Sequence, residues 1–68
     1  MSVVKVIDVL AQSDKSWEDA TAEALRVAAK SVKNIKSIYV QDFQGKVKNN
    51  EIVQFRVNTK ISFVVNED

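Results

Sequence analysis

The C-terminal quarter of the chain alternates between apolar and polar side chains over about fifteen residues, 51–65. A period of two places successive side chains on opposite faces of a β-strand, so this segment is predicted to be one amphipathic strand. It is far longer than the ~5–6 residues typical of strands, so we expect it to curl around whatever covers its apolar face. That predicted apolar face carries Val53, Phe55, Val57, Thr59, Ile61, Phe63 and Val65.

Two further segments have the composition of strands. Residues 3–10 (VVKVIDVL) are β-branched and apolar apart from two charges, which predicts a first strand. Residues 35–47 alternate in their first half and predict a second strand. In this second strand Ile38 and Val40 are expected on one face, and Ser37, Tyr39 and Gln41 on the other. Residues 48–50 (Lys-Asn-Asn) are predicted to form the tip of a hairpin, since asparagine tolerates a positive φ.

A helix is predicted between the first two strands, from Trp17 to Lys33. Ser16 precedes it and Asp19 follows three residues later, which resembles a capping box. The acidic side chains of the first turn and the lysines near the end both suit the helix dipole. The apolar arc is wide and rich in alanine. Trp17 falls on the side predicted to face the sheet, so we interpret it as a packing anchor in preference to a side chain that stacks on a ligand.

These elements predict one α+β domain over residues 1–68, in the order β-α-β-β, with a three-stranded antiparallel sheet wrapped around one helix. One helix covers only one face of such a sheet, and the sheet keeps unpaired edges. A core of this size supplies only ~3–5 kcal/mol, and the chain has no cysteine for a disulfide. We therefore expect a symmetric homo-oligomer.

The composition excludes several classes of function. Ten basic and nine acidic side chains give a net charge of +1, without the basic stripe of a nucleic-acid binder. No apolar run approaches the ~20 residues of a membrane span, and the first ten residues lack the features of a signal peptide. Histidine and cysteine are absent, which removes the commonest general base and the thiol nucleophile. We expect a cytoplasmic, non-enzymatic protein that binds neither nucleic acid nor membrane.

The chain resembles the dodecin family over nearly its whole length. The resemblance is carried by VVKVIDV at residues 3–9, SDKSWEDA at 13–20, KSVKNIK at 30–36 and KISF at 60–63. It implies a dodecin-like fold, assembly as a homododecameric shell, and a role in binding and storing a small ligand. In many members that ligand is a flavin, such as FMN or riboflavin, held between subunits.

The resemblance also implies a flavin pocket on the open face of the sheet. Ser37 lies where flavin-binding members carry a tryptophan that stacks on the ring, and Arg56 lies where they carry a glutamine that bonds the ring edge. Serine has no aromatic face, and arginine only donates hydrogen bonds, so flavin binding is expected to be weak or changed. Tyr39 and Asn58 complete the expected ligand-binding set.

Some similar members that lack this tryptophan are described as binding calcium. Hard cations require several oxygen ligands, and Asp8, Asp42 and Glu51 are the candidate calcium ligands, with symmetry copies supplying the others. The alternative for each carboxylate is a solvated charge or an intersubunit salt bridge. Three hypotheses follow for the shell: it stores a small ligand, it binds calcium, or it is structural and holds no ligand.

Overall fold

The computed structural model describes residues 3–65. They form strand β1 (Val3–Ser13), helix α1 (Trp17–Ala28), strand β2 (Ile35–Lys48) and strand β3 (Glu51–Val65). β3 is the central strand and pairs antiparallel with β1 on one side and β2 on the other. This confirms the predicted β-α-β-β order and the three-stranded antiparallel sheet. Within the described residues, no helix is long and apolar enough to cross a bilayer.

The apolar face of β3 packs against α1, as its alternation predicts. Val57, Thr59 and Ile61 are fully buried at the centre of the sheet. The Thr59 hydroxyl donates to the Val9 carbonyl at 2.7 Å, so this buried polar group is satisfied. The helix presents only alanines at its buried positions, which allows a close approach to the sheet. These positions are Ala20, Ala24 and Ala28.

Trp17 fixes the start of α1 to the sheet. Its ring makes edge-to-face contacts with Phe55, at a centroid distance of 4.8 Å, and with Phe43, at 6.2 Å. Its indole N–H donates to the Gln44 carbonyl at 2.9 Å. The side chain therefore contacts both β2 and β3 and uses its polar atom within the chain. The interpretation of Trp17 as a packing anchor is confirmed.

The N-terminal cap of α1 differs from a capping box in one bond. The Asp19 backbone N–H donates to Ser16 Oγ at 2.9 Å, as predicted. In a capping box the Asp19 carboxylate would also accept from the Ser16 backbone N–H. Here it accepts instead from Ser13 Oγ at 2.6 Å. Since Ser13 is the last residue of β1, this bond joins the end of the strand to the first turn of the helix.

The helix ends at Ala28, so the predicted end at Lys33 was wrong. Beyond Ala28 the hydrogen bonding includes the shorter 3₁₀ spacing. The N–H groups of Lys30 and Ser31 donate to carbonyls three residues back, at 3.2 and 3.0 Å. Asn34 then turns the chain with a φ of 63°. The small apolar residues continue through this turn without glycine or proline, so the sequence pattern does not show where α-helical bonding stops.

The strands extend slightly further than predicted. β1 continues past residue 10 to Ser13, which pairs with Phe55, because β3 is long enough to bond the whole of it. β2 includes Lys48, and the hairpin turns at Asn49 and Asn50, whose φ angles are 54° and 62°. Two successive positive φ angles are the geometry of a type I′ turn, so the predicted position of the hairpin tip is confirmed.

An extra residue, Gln41, interrupts the predicted alternation of β2. Val40 pairs with Thr59 and Asp42 pairs with Asn58, so Gln41 takes no place in the register between them. Such a bulge moves every later side chain of the strand to the opposite face. The strict alternation predicted through Gln41 was therefore wrong. As a consequence, Asp42 lies on the same face of the sheet as Asn58.

Candidate functional site

The face of the sheet that is turned away from α1, called here the helix-free face, carries the predicted ligand-binding side chains. Its side chains form rows across β3, with neighbouring strands ~4.8 Å apart. Ser37, Tyr39, Asn58 and Arg56 lie in four consecutive rows. From one end these rows are Val6, Ser62 and Ser37; Asp8, Lys60 and Tyr39; Leu10, Asn58 and Asp42; Gln12, Arg56 and Gln44; and the last pair, toward the hairpin, is Gln54 and Lys46.

On β2 and β3, the row of Ser37 consists of two small polar side chains. The Ser37 and Ser62 hydroxyls are hydrogen-bonded to each other across β2 and β3. Tyr39 follows in the next row and is 64% exposed. Among the described residues, Tyr39 is the aromatic side chain on this face, because the three phenylalanines and Trp17 lie on the side of α1. The helix-free face therefore offers one phenol ring and no ring at position 37.

Arg56 is held in a defined orientation. Its Nε and Nη2 atoms donate to Gln12 Oε1 at 3.1 and 2.9 Å. Gln44 pairs with Arg56 in the register on the other side. The guanidinium is thus the centre of a row with a glutamine on each neighbouring strand. This row can donate several hydrogen bonds to one ligand, since guanidinium and amide groups both carry N–H donors.

Gln12 and Gln44 were not among the predicted ligand-binding residues. Gln12 was missed because the first strand was predicted to end at residue 10. The position of Gln44 was hidden by the bulge at Gln41. One signal for the bulge is present in the sequence, because the apolar positions of β2 change from even numbers at Val40 to odd numbers at Phe43.

The three candidate calcium ligands are far apart within one chain. Asp8 forms an ion pair with Lys60 at 2.8 Å. Asp42 lies on the far side of β3 and one row along, so about 12 Å of sheet separates it from Asp8. Glu51 lies at the hairpin, at the start of β3. In the part of the chain that the structure describes, no three potential metal ligands come together.

Exposed apolar side chains flank this face. Val4, Val6 and Leu10 are 57%, 57% and 61% exposed, and they follow the open edge of the sheet along β1. On the other side of the sheet, an apolar groove of about 370 Å³ runs between α1 and β2 and includes Leu25 and Phe43. Apolar surface beside an unpaired strand edge is typical of a contact between chains.

Known proteins share both the sequence and the architecture. The Dodecin family model matches residues 3–66. Calcium dodecin of Mycobacterium tuberculosis is 38% identical over 63 residues, which cover 93% of this chain and 89% of that protein. The crystal structure described as the calcium chelating immunodominant antigen, calcium dodecin, from the same organism matches with a TM-score of 0.82 at 35% identity, over 96% of this chain and 93% of that chain.

More distant structures have the same fold. Dodecin from Streptomyces davaonensis matches with a TM-score of 0.91 at 20% identity, over 97% of both chains. A protein of Thermus thermophilus matches with a TM-score of 0.93 at 20% identity, over all of both chains. The match to the family model covers every described residue, and the order of strands and helix is the one found in these structures. The chain therefore belongs to the dodecin family.

Proposed function

We propose that this chain is a non-enzymatic subunit of a homo-oligomeric shell that binds and stores a small ligand on the helix-free face. The observation that carries the proposal is the composition of that face. Polar side chains suited to a ligand occupy consecutive rows. The exposed apolar side chains of β1 lie beside them and are called here the apolar row of β1: Val4, Val6 and Leu10. A site of this kind is completed when a second copy of the chain covers the apolar row.

Self-association is supported by the imbalance between the core and the exposed apolar surface. Among the described residues, the buried apolar side chains are Val57, Ile61 and three alanines, whereas Val6 and Leu10 are more than half exposed. Burial of one exposed valine or leucine contributes ~1.5–3 kcal/mol. This is a large amount beside the ~3–5 kcal/mol of a single small core. The family resemblance makes twelve the expected number of subunits.

The side chains present do not fit a flavin held in the manner usual for the family. The Ser37 hydroxyl is bonded to Ser62, and this position supplies no ring for stacking. Arg56 carries donors only, whereas the edge of a flavin ring has both donors and acceptors. Stacking on an aromatic side chain is worth ~1–3 kcal/mol in comparable sites. We therefore propose that the wild-type protein binds flavins weakly.

A riboflavin titration tests this part of the proposal. Because position 37 supplies no ring for stacking, we expect micromolar protein to leave the fluorescence of micromolar riboflavin unquenched. The measurement is a fluorescence titration of riboflavin with increasing amounts of the assembled protein. Stoichiometric quenching at these concentrations would contradict the proposal, since it would show a flavin site formed without the tryptophan.

A divalent cation is the second candidate ligand. The observation that favours it is the 38% identity to a protein named calcium dodecin. Asp42 is the best-placed carboxylate, because it lies on the helix-free face opposite the Asn58 amide and is not ion-paired among the described residues. Calcium takes 6–8 oxygen ligands, so further copies of the chain would supply the remaining oxygens.

If Asp42 ligates calcium, millimolar CaCl₂ is expected to raise the melting temperature of the protein, and EDTA is expected to reverse the change. A ligand at one hundred times its Kd adds ~2.7 kcal/mol to the free energy of unfolding. Asp42→Asn should abolish the response, whereas Glu18→Gln, the same charge change at an exposed residue in the first turn of α1, should keep it. Equal melting temperatures in CaCl₂ and in EDTA would rule out this second candidate.

A further inference from the structure

A polar pocket opens on the helix-free face, at the end of the sheet nearest the hairpin. Its volume is about 430 Å³. Two of its lining side chains are cationic, two are amides, and none of the described residues that line it is acidic. The pocket is lined by Gln44, Gly45, Lys46, Gln54 and Arg56.

The register explains why these groups converge. Arg56 pairs with Gln44, and Gln54 pairs with Lys46 in the next row. Successive rows on one face of a strand lie about 7 Å apart. The guanidinium and the ammonium group therefore border the same opening, on neighbouring strands. The nearest carboxylate in the register is Asp42, which lies one row beyond Arg56 on the side away from Lys46.

Gln12 holds the guanidinium of Arg56 in one orientation. Its Oε1 accepts from both Nε and Nη2 of the guanidinium. An arginine side chain carries five N–H donors, so those on Nη1 and the second one on Nη2 are left for another acceptor. Because Gln12 already fixes the plane of the guanidinium, less conformational freedom is lost when a ligand binds.

We propose that this pocket binds the anionic group, a phosphate or a carboxylate, of a small molecule. The inference rests on the proposed ligand-binding role of the helix-free face and names the chemistry of its ligand. Arg56 supplies the planar fork that pairs with two oxygens of an anion, and Lys46 supplies a second positive charge. The Gln44 and Gln54 amides are donors for the remaining oxygens. An arginine at position 56 suits such a group better than it suits the uncharged edge of a ring.

Isothermal titration calorimetry of the assembled protein with inorganic phosphate and, separately, with citrate tests the proposal. The two probes distinguish phosphate from carboxylate recognition. We expect saturable binding of at least one probe, weakened at least tenfold by Arg56→Gln and several-fold by Lys46→Gln. Arg56→Lys should bind with an affinity between those of the wild-type protein and Arg56→Gln, because lysine keeps the positive charge and lacks the planar pair of N–H donors. Lys5→Gln, the same charge change on the helix-covered face of β1, should bind as wild type.

Two results would overturn the anion site. One is the absence of saturable binding of both probes, and the other is an equal loss of affinity in Lys5→Gln and Arg56→Gln, which would indicate diffuse electrostatics. If Arg56→Gln fails to fold by circular dichroism, the exposed Lys46→Gln decides the question. Light scattering of the wild-type protein in the same buffer distinguishes the loss of the anion site from failure of the proposed function. An oligomer that binds neither anion contradicts the anion site alone, whereas a monomer contradicts the shell.

Discussion

The double variant Ser37→Trp/Arg56→Gln is expected to bind riboflavin about 100-fold more tightly than the wild-type protein, at 1.4 kcal/mol for each factor of ten. The tryptophan restores stacking, worth ~1–3 kcal/mol, and the glutamine restores a paired donor and acceptor, worth ~0.5–1.5 kcal/mol. Ser37 is exposed and its neighbour across the strands, Ser62, is small, so the larger ring has room on this face.

Quenching of riboflavin fluorescence measures this gain. The matched control is Ser37→Ala/Arg56→Gln, which makes the same change at position 56 and adds no ring. We expect the control to bind no more than a few-fold more tightly than wild type, since one hydrogen bond contributes little on its own. If the tryptophan variant binds no more tightly than the alanine variant, the helix-free face does not contain a flavin-type pocket at position 37.

A charge placed on the apolar row of β1 is expected to break the assembly. Leu10 is 61% exposed in one copy of the chain, so Leu10→Asp removes little packing within that copy. In the proposed shell, a neighbouring copy would cover this row, and an unpaired buried carboxylate costs several kcal/mol. The same cost recurs at every equivalent contact of a symmetric assembly. Light scattering should therefore show a fall from the oligomer to small species.

Ser31→Asp is the control for this variant. It adds the same charge in the exposed turn after α1, where no contact between copies is proposed, and we expect it to keep the mass of the wild-type assembly. Should Leu10→Asp also keep that mass, the apolar row of β1 lies outside the subunit interface, and another surface holds the shell together. The groove beside Leu25 is then the remaining apolar candidate.

The fold was predictable because its strongest constraint is a local period. The alternation along β3 predicted its apolar face. Val57, Thr59 and Ile61 of that face are fully buried, whereas Val53 near the hairpin is 40% exposed. Asn49 and Asn50 marked the hairpin because few other residues accept a positive φ. The end of α1 was not predictable from the same pattern. The turn after Ala28 contains alanine and valine but neither glycine nor proline, so no residue type marks the end of the helix.

The candidate site was only partly predictable, because its geometry depends on how three strands are paired. Arg56 was singled out as a ligand-binding residue, but its bond to Gln12 joins positions 44 residues apart. The placement of Asp42 depends on the bulge at Gln41, which shifts the register of the following residues by one. The change of apolar positions between Val40 and Phe43 signals a shift, but the pairing with β3 decides which residue is the extra one.

The molar mass of the wild-type protein tests most directly whether this chain acts as part of a homo-oligomeric shell, as we propose. Size-exclusion chromatography with multi-angle light scattering measures that mass without reference to shape. We expect a single species with about twelve times the 7.6 kDa of one chain. A single species of 7.6 kDa, unchanged as the protein concentration is raised, would contradict the account.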